Sequence, residues 1–474
     1  FASNEATSPC ASRRKSCLVV LTAREAMVCS TRKVVAAALV ATLMGGDAVL
    51  VRRRSRAKAE LDSYTFERFL SDFDRDLAPG SAEYRRRAGI FETSLLEVRA
   101  KNVRNAKEGR LWTAGVHPFM DWTQAERTAL NGYKPSSARH APLARGGVAF
   151  LSSGARGFAS ANATGAWESS FSDATAVSTE SGGWSIDSGP SVWIQGSVCG
   201  SCWAIAAAET LEAQLKKTGV VGRVSVQALL NCVPNPKHCG GVGGCHGATA
   251  ELAYEFVRDW GVPMEHEYPY VAKTQKCPQQ PMSEPFKVRH SRVRVHGWVV
   301  LPSNKQEPLM RALTQQGPVA VAVSTPDWLT YESGIFDGCT KDAVIGHSVL
   351  AKGYGKDAGH KYWLIQNSWG ATWGEAGHIR LLRHDDENSW CGIDNKPKEG
   401  VGCDGAPAEV KVCGSCGILY DPIYPTGVRV EDAEALPASA SQSLLGREVE
   451  VFRPEAPTAQ ENSAMIESMR AALQ

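Results

Sequence analysis

At 474 residues the chain is long enough for about three folding units, or two with unstructured segments, which excludes a single small module. Lys+Arg 52 against Asp+Glu 50 leaves a net charge of +2, which excludes the whole-chain basic field that tracks phosphates or anionic lipid, so no nucleic-acid partner is expected. A composition of 43% hydrophobic and 22% charged residues excludes disorder throughout, and eleven of the fourteen cysteines follow residue 195, as in a disulfide-bridged domain of an oxidising compartment.

Residues 1–26 read as a leader of uncertain status, and no structural role is expected of Cys10, Cys17 or Cys29. Met27 opens a segment, 27–48, in which Arg32 and Lys33 precede the apolar run Val34 to Met44 and the small residues Gly45, Gly46 and Ala48 follow it. This is the pattern of a signal peptide, and the run is too short to span a bilayer. A buried helix or a signal anchor is the alternative. Residues 62–134 place Phe66, Phe69, Leu70 and Phe73 at three- and four-residue steps, break at Pro79–Gly80, and resume from Ser81. That pattern predicts two amphipathic helices. Residues 135–190 turn to Ser, Ala and Gly and contain the sequon Asn162-Ala163-Thr164, the chemistry of an exposed, protease-sensitive linker.

Residues 191–428 hold most of the Cys, Gly and Trp and form the main domain. Its first half predicts helices, with Ile205, Ala208, Leu211 and Leu215 on one face and a stop at Gly219. Its second half predicts strands at 319–323, after His347, at 362–366 and at 378–382. Helices followed by strands give an α+β fold with a seam between the layers. Residues 429–474 read as a mobile tail with one short helix at 462–473.

Within Cys199-Gly-Ser-Cys202-Trp203, Cys202 stands at a predicted helix start. There the helix dipole and unpaired N–H groups favour thiolate, the form that attacks carbonyl carbon. His347, 145 residues downstream in Gly346-His347-Ser348, has the setting of a base that returns the proton to a leaving amine. Asn367, in Gln366-Asn367-Ser368-Trp369, offers a carbonyl oxygen to orient the ring, with Trp369 shielding that bond from water. Gln195, seven residues ahead of Cys202, offers an amide NH₂ to an oxyanion beside the Cys202 backbone N–H.

Taken in order, Gln195, the CGSCW run, Ser225-Val-Gln227, Gly244-Cys245-His-Gly247, Tyr268-Pro-Tyr270, Gly317-Pro-Val, Gly346-His347 and Asn367-Ser-Trp369-Gly resemble a papain-family, cathepsin L-like cysteine protease precursor. The resemblance implies a two-lobed fold, a helical lobe and an antiparallel β-barrel lobe with the cleft between them, preceded by a helical inhibitory prodomain at 62–134. Glu83, Arg87, Phe91, Val98 and Asn102 follow the prodomain's helical spacing, with Ser94 where Asn is usual. Gly115, His117, Phe119 and Asp121 follow its second motif, with His117 in place of Asn.

Further implications concern the cysteines and the cleft. The resemblance suggests disulfides Cys199–Cys245, Cys232–Cys277 and Cys339–Cys416, and leaves 391–415 as an insertion stapled by Cys239, Cys391, Cys403 and Cys413 in an order not given by sequence. It implies substrate contacts at Gly247, Ala248 and Trp369, and a pocket for the second residue on the amino side of the scissile bond, with Thr249, Ala250, Ala322 and Ser348 as walls and Asp421 at the base. If Cys391 rather than Cys416 is the homologous cysteine, Lys396 takes that place. One residue more than usual separates Gln195 from Cys199, which bears on the aim of the glutamine.

The expectation is therefore a cysteine endopeptidase zymogen of the secretory pathway, lysosomal, vacuolar or extracellular. It would be monomeric and free of cofactors and metals, acting on proteins or peptides, with its own prodomain as inhibitor. Endopeptidase action is favoured because no loop with paired histidines and no extra capping domain is evident, although the 391–415 insertion has the means to restrict the cleft. The rival readings are an exopeptidase, a catalytically impaired binding protein of the same fold, and a thiol oxidoreductase using Cys199 and Cys202. Cys413-Gly-Ser-Cys416 has zinc or redox spacing but reads as disulfide chemistry, and the glycine run 400–405 lacks the βαβ surroundings of a dinucleotide site.

Overall fold

The computed structural model describes residues 60–128, 130, 178, 180–278 and 292–431. The leader, the signal segment, most of the linker with Asn162, and the tail beyond 431 lie outside the described residues.

Helix α1 (Phe66–Asp72) starts where the Thr65 side chain accepts from Arg68 N, and α2 (Ala82–Glu108) where Ser81 accepts from Tyr84 N. These caps satisfy amide groups that have no partner inside the helix. Helix α2 ends at Gly109, whose φ of 66° is the left-handed conformation that glycine adopts without a Cβ clash. Phe66 and Phe69 of α1 pack against Phe91 of α2, with ring centroids 5.4 and 5.1 Å apart. Strand β1 (Trp112–Ala114) and helix α3 (Gln124–Thr128) follow. The Asn102 side chain donates to Ala114 O and accepts from Ala114 N, at 2.7 and 2.8 Å, which fixes β1 against α2.

After β2 (Gly182–Gly183) comes the helical layer: α4 (Cys202–Lys217), α5 (Val226–Cys232) and α6 (Ala250–Trp260). Trp203, Ile205, Leu211, Leu229, Tyr254 and Phe256 belong to one buried core there. The strand layer contains β3 (Arg292–Arg294), β4 (Gly297–Val300), helix α7 (Gln306–Gln315), β5 (Val319–Val323), β6 (Tyr331–Phe336), β7 (His347–Asp357), β8 (His360–Gln366) and β9 (His378–Leu382). It continues with β10 (Cys391–Asp394), β11 (Val410–Cys413), β12 (Ile423–Thr426) and β13 (Arg429–Glu431).

The main sheet runs β1-β6-β9-β8-β7-β5-β12-β4, with β2 on β7. Its pairs are antiparallel except β6 with β9. The fold is the papain-like α+β arrangement of a helical lobe and a β lobe, preceded by a helical prodomain. That prodomain docks on the β lobe by adding β1 to the sheet, Trp112 opposite Gly334, so backbone hydrogen bonds join the two. A Cβ on Gly115 would lie 2.4 Å from Glu332 Cδ, so the close approach requires glycine. Lys101, 4% exposed, donates to Asp327 Oδ1 at 2.8 Å and Thr330 Oγ1 at 3.2 Å.

Among the described residues, five disulfides join Cys199–Cys245, Cys232–Cys277, Cys239–Cys403, Cys339–Cys416 and Cys391–Cys413. Cys413 and Cys416 thus bond to different partners. Among the described residues there is no group of three potential metal ligands, and no helix is long and apolar enough to cross a membrane.

Candidate active site

The seam between the lobes brings the first residue of α4 to the first residue of β7. The Cys199–Cys245 bridge pins the loop ahead of α4, and Trp203 Nε1 donates to Gly244 O at 3.0 Å, so the helix cannot rotate about its start. Cys202 is 3% exposed and is the one free cysteine among the described residues. His347 pairs across to Val323 of β5. Cys202 and His347 line the same cavity, together with Gly247, Ala248 and Ser348.

Asn367 follows β8, and its Oδ1 lies 2.8 Å from His347 Nε2. That oxygen also accepts from Ser368 N at 2.8 Å, so it is an acceptor, and Nε2–H donates to it. The other ring nitrogen, Nδ1, is buried and makes no hydrogen bond within the protein. Its lone pair is therefore open to a proton from the cavity. Trp369 packs on the imidazole at 5.2 Å between centroids, excluding water from the Nε2 bond.

The electrostatics differ from the expectation drawn from the helix start alone. Burial pushes the Cys202 thiol up to about 11, against the backbone N–H groups of Ser348 and Trp203 that favour thiolate. Burial likewise lowers His347 to about 4, outweighing its bond to Asn367. Burial thus opposes the charged form of each group, against the local dipole at Cys202.

Gln195 is fully buried, and the extra residue in its loop leaves its backbone anchored. Gln195 N donates to Ser368 O at 2.9 Å, Ile194 bridges Trp369, and the Gln195 Oε1 accepts from Ser368 Oγ at 2.7 Å. The extra length is taken up by a turn at Gly196, φ 80°, beside Val198, which is 63% exposed. The Gln195 NH₂ donates to Leu130 O at 3.0 Å. Leu130 belongs to the leading segment, which also sets Phe119 edge-on against Trp369 at 5.8 Å.

Thr249, Ala250, Ala322, Ser348 and Asp421 line an adjoining cavity with Ala320 and Ile423. Burial, with a smaller contribution from Glu251, raises the Asp421 carboxyl to about 6. Lys396 lines neither cavity, and Trp369 lies behind His347 rather than on a cavity wall. Sequence reasoning missed Gly240, Gly400 and Val401, which complete the lining of the first cavity, with Val401 also reaching the second. The available signal was Cys403 beside a glycine run within the insertion.

A buried thiol at a helix start, an imidazole held by a side-chain amide, and an anchored glutamine amide thus lie along one seam. Residues 190–401 match the family described as papain family cysteine protease. The chain is 37% identical over 203 residues to cathepsin K of Gallus gallus, covering 42% of this chain and 56% of that protein. It is 37% identical over 205 residues to cathepsin S of Rattus norvegicus, covering 42% and 58%. The chain thus spans somewhat over half the length of these curated relatives. Among solved structures it resembles procathepsin L2 proteinase from Tenebrio molitor larval midgut, with a TM-score of 0.55 and 25% identity over 76% of this chain and 98% of that one. It also resembles a recombinant stem bromelain precursor, with a TM-score of 0.51 and 27% identity over 76% and 97%. Residues 190–401 thus carry a papain family cysteine protease domain.

Proposed function

We propose that the chain is the zymogen of a cysteine peptidase in which Cys202 is the nucleophile, His347 the acid and base, and Asn367 the group that orients the ring. The observation that carries this reading is the row of buried groups in which His347 Nε2 is 2.8 Å from Asn367 Oδ1 while Nδ1 stays unpartnered beside the Cys202 cavity. Once the leading segment leaves, water and the opposite charge reach both groups, and the proton moves from Sγ to Nδ1. The thiolate adds to the peptide carbonyl, and the Gln195 amide and the Cys202 N–H receive the oxyanion. The C–N bond then breaks as Nδ1–H protonates the leaving amine. Water, deprotonated by His347, cleaves the thioester and restores the thiol.

Autoinhibition by the prodomain is supported by Leu130 O, which takes the hydrogen bond that the Gln195 amide would give an oxyanion. Gly247 and Ala248 would receive the peptide backbone, and the cavity based on Asp421 the second residue on the amino side of the scissile bond. Protein or peptide substrates follow, and five disulfides support the secretory pathway, lysosomal, vacuolar or extracellular.

The endopeptidase reading rests on the want of a paired-histidine loop or capping domain in the sequence. A specific observation favours the exopeptidase reading instead: Gly400 and Val401 stand in the cleft. The test of the shared peptidase reading is hydrolysis of short peptidyl coumarin amides by the processed chain. Turnover that disappears in Cys202→Ser supports it, and turnover that persists in Cys202→Ser excludes it.

A further inference from the structure

The insertion after β10 crosses the cleft. At its root the buried Asp394 accepts from Ile345 N at 3.1 Å and Lys396 N at 2.8 Å, and Cys391–Cys413 closes the hairpin behind it. These contacts belong to the β lobe. The segment then turns tightly, Gly402 N donating to Pro397 O at 2.8 Å, and passes along the approach to His347. The fit there is close enough that a Cβ on Gly400 would lie 1.5 Å from Ile345 O. On the far side Gly402 O accepts from Gly240 N at 3.2 Å, Asp404 N donates to Lys237 O at 2.8 Å, and Cys403 is bonded to Cys239. Those contacts belong to the helical lobe.

Gly240 itself lies against the substrate wall, since a Cβ on it would be 2.6 Å from Ala248 O. Residues 396–403 therefore form a strap tied to both lobes, and Val401 lines the cavities of both Cys202 and Asp421. The strap touches the wall that would carry an extended peptide past the Asp421 cavity. A covalent tie at Cys403 and backbone bonds at both ends leave it no slack to yield to a bound chain, because a packed interior resists displacement.

We propose that this strap is a specificity-determining element: it ends the cleft on the amino side of the scissile bond after two residues, so the processed enzyme takes peptides by their amino termini and releases short amino-terminal fragments. The proposal rests on the peptidase reading above. The strap accepts the first two residues beneath Val401 and rejects chain that continues past Gly402, so discrimination arises from exclusion rather than from added attraction. Cys239–Cys403 is the latch that holds this limit.

The experiment compares two coumarin amides at the processed enzyme with its disulfides intact, one a free-amino Leu-Arg dipeptide and one an acetylated pentapeptide with the same two terminal residues. The expected kcat/KM for the dipeptide exceeds that for the pentapeptide by at least about 100-fold. In Cys239→Ser/Cys403→Ser the pentapeptide value should rise at least about tenfold with the dipeptide value within about twofold of the original.

Should that variant not fold, the wild-type enzyme treated with a water-soluble phosphine supplies the second arm. Here the two sulfurs of these partly buried cysteines become thiols as the phosphine is oxidised, and mass spectrometry after alkylation reports opening at Cys239 and Cys403. The pentapeptide should then gain turnover in step with that opening. Equal use of both substrates by the intact enzyme, or no gain on opening the latch, overturns the strap proposal and leaves the peptidase reading standing. Hydrolysis of neither substrate, latched or open, overturns both.

Discussion

Replacing His117 with Asn should remove most of the acid sensitivity of the prodomain between pH 6.5 and 4.5. His117 is 1% exposed, and its Nδ1 accepts from Phe119 N at 3.3 Å. Burial, then the positive charges of Arg127 and Lys101, push its pKa down from 6.5 to about 3. Above pH 6.5 the ring is neutral whether the prodomain is folded or unfolded. Below that, the unfolded chain binds a proton that the folded chain refuses until about pH 3, so stability falls by about 1.4 kcal/mol per pH unit. At pH 4.5 the loss reaches about 2.7 kcal/mol, a large part of what holds a small domain.

Two nearby carboxyls act differently. Burial raises Asp121 from 3.8, which adds stability as pH falls, and Glu83, lowered to about 2 by Arg86, costs stability only below about pH 4.5. The assay is urea unfolding of the full chain carrying Cys202→Ala, which prevents self-cleavage, followed by tryptophan fluorescence at pH 6.5, 5.5 and 4.5. His117→Asn keeps an acceptor for Phe119 N, and its stability should fall less steeply by about one proton's worth. Parallel pH profiles for His117 and Asn at this position would refute the reasoning.

Other perturbations address the docking surface and the site. Asp327→Ala removes the shorter of two carboxylate contacts of the nearly buried Lys101 ammonium, leaving Glu97 at 3.6 Å on its own helix; inhibition of the processed enzyme by added prodomain should weaken about tenfold, the worth of a charged hydrogen bond. Unchanged inhibition would remove that pair from the account. Asn367→Ala frees the His347 ring, and kcat should fall on the order of 10²-fold with KM little altered, as read by steady-state kinetics. Gln195→Ala should lower kcat by about 10²- to 10³-fold if its amide serves the oxyanion. A fall in thermal stability with kcat preserved would instead assign Gln195 to the bond with Ser368 alone.

Much of the architecture could be read from local chemistry. Ser81 after Pro79–Gly80 marks the α2 cap, the run VAVAV becomes β5, fully buried, and the helical run from Ile205 to Leu215 lies within α4. His347 and Asn367 stand out because their neighbours, Gly346 and Trp369, are distinctive. The remainder depends on distant pairing. Strand β1 has three residues and no legible period; it becomes a strand because β6 offers an open edge. The latch joins cysteines 164 residues apart, a separation that carries no local signal, so the glycine run around Cys403 shows its purpose only where it threads between Ile345 and Gly240. The setting of Cys202 divides in the same way: the backbone N–H groups at the helix start favour thiolate and are legible locally, whereas the burial that opposes them arises only in the assembled fold.

The claim on which the rest depends is proton sharing between Cys202 and His347 after the leading segment is removed. Its direct measure is the rate of iodoacetamide alkylation of Cys202 at pH 5.5, site-resolved by mass spectrometry, in the processed wild-type and in His347→Ala. The account predicts fast alkylation in the wild-type and a rate at least about 100-fold lower in the variant, since a thiol at its ordinary pKa is almost wholly protonated at that pH. Equal rates in the two proteins would contradict it.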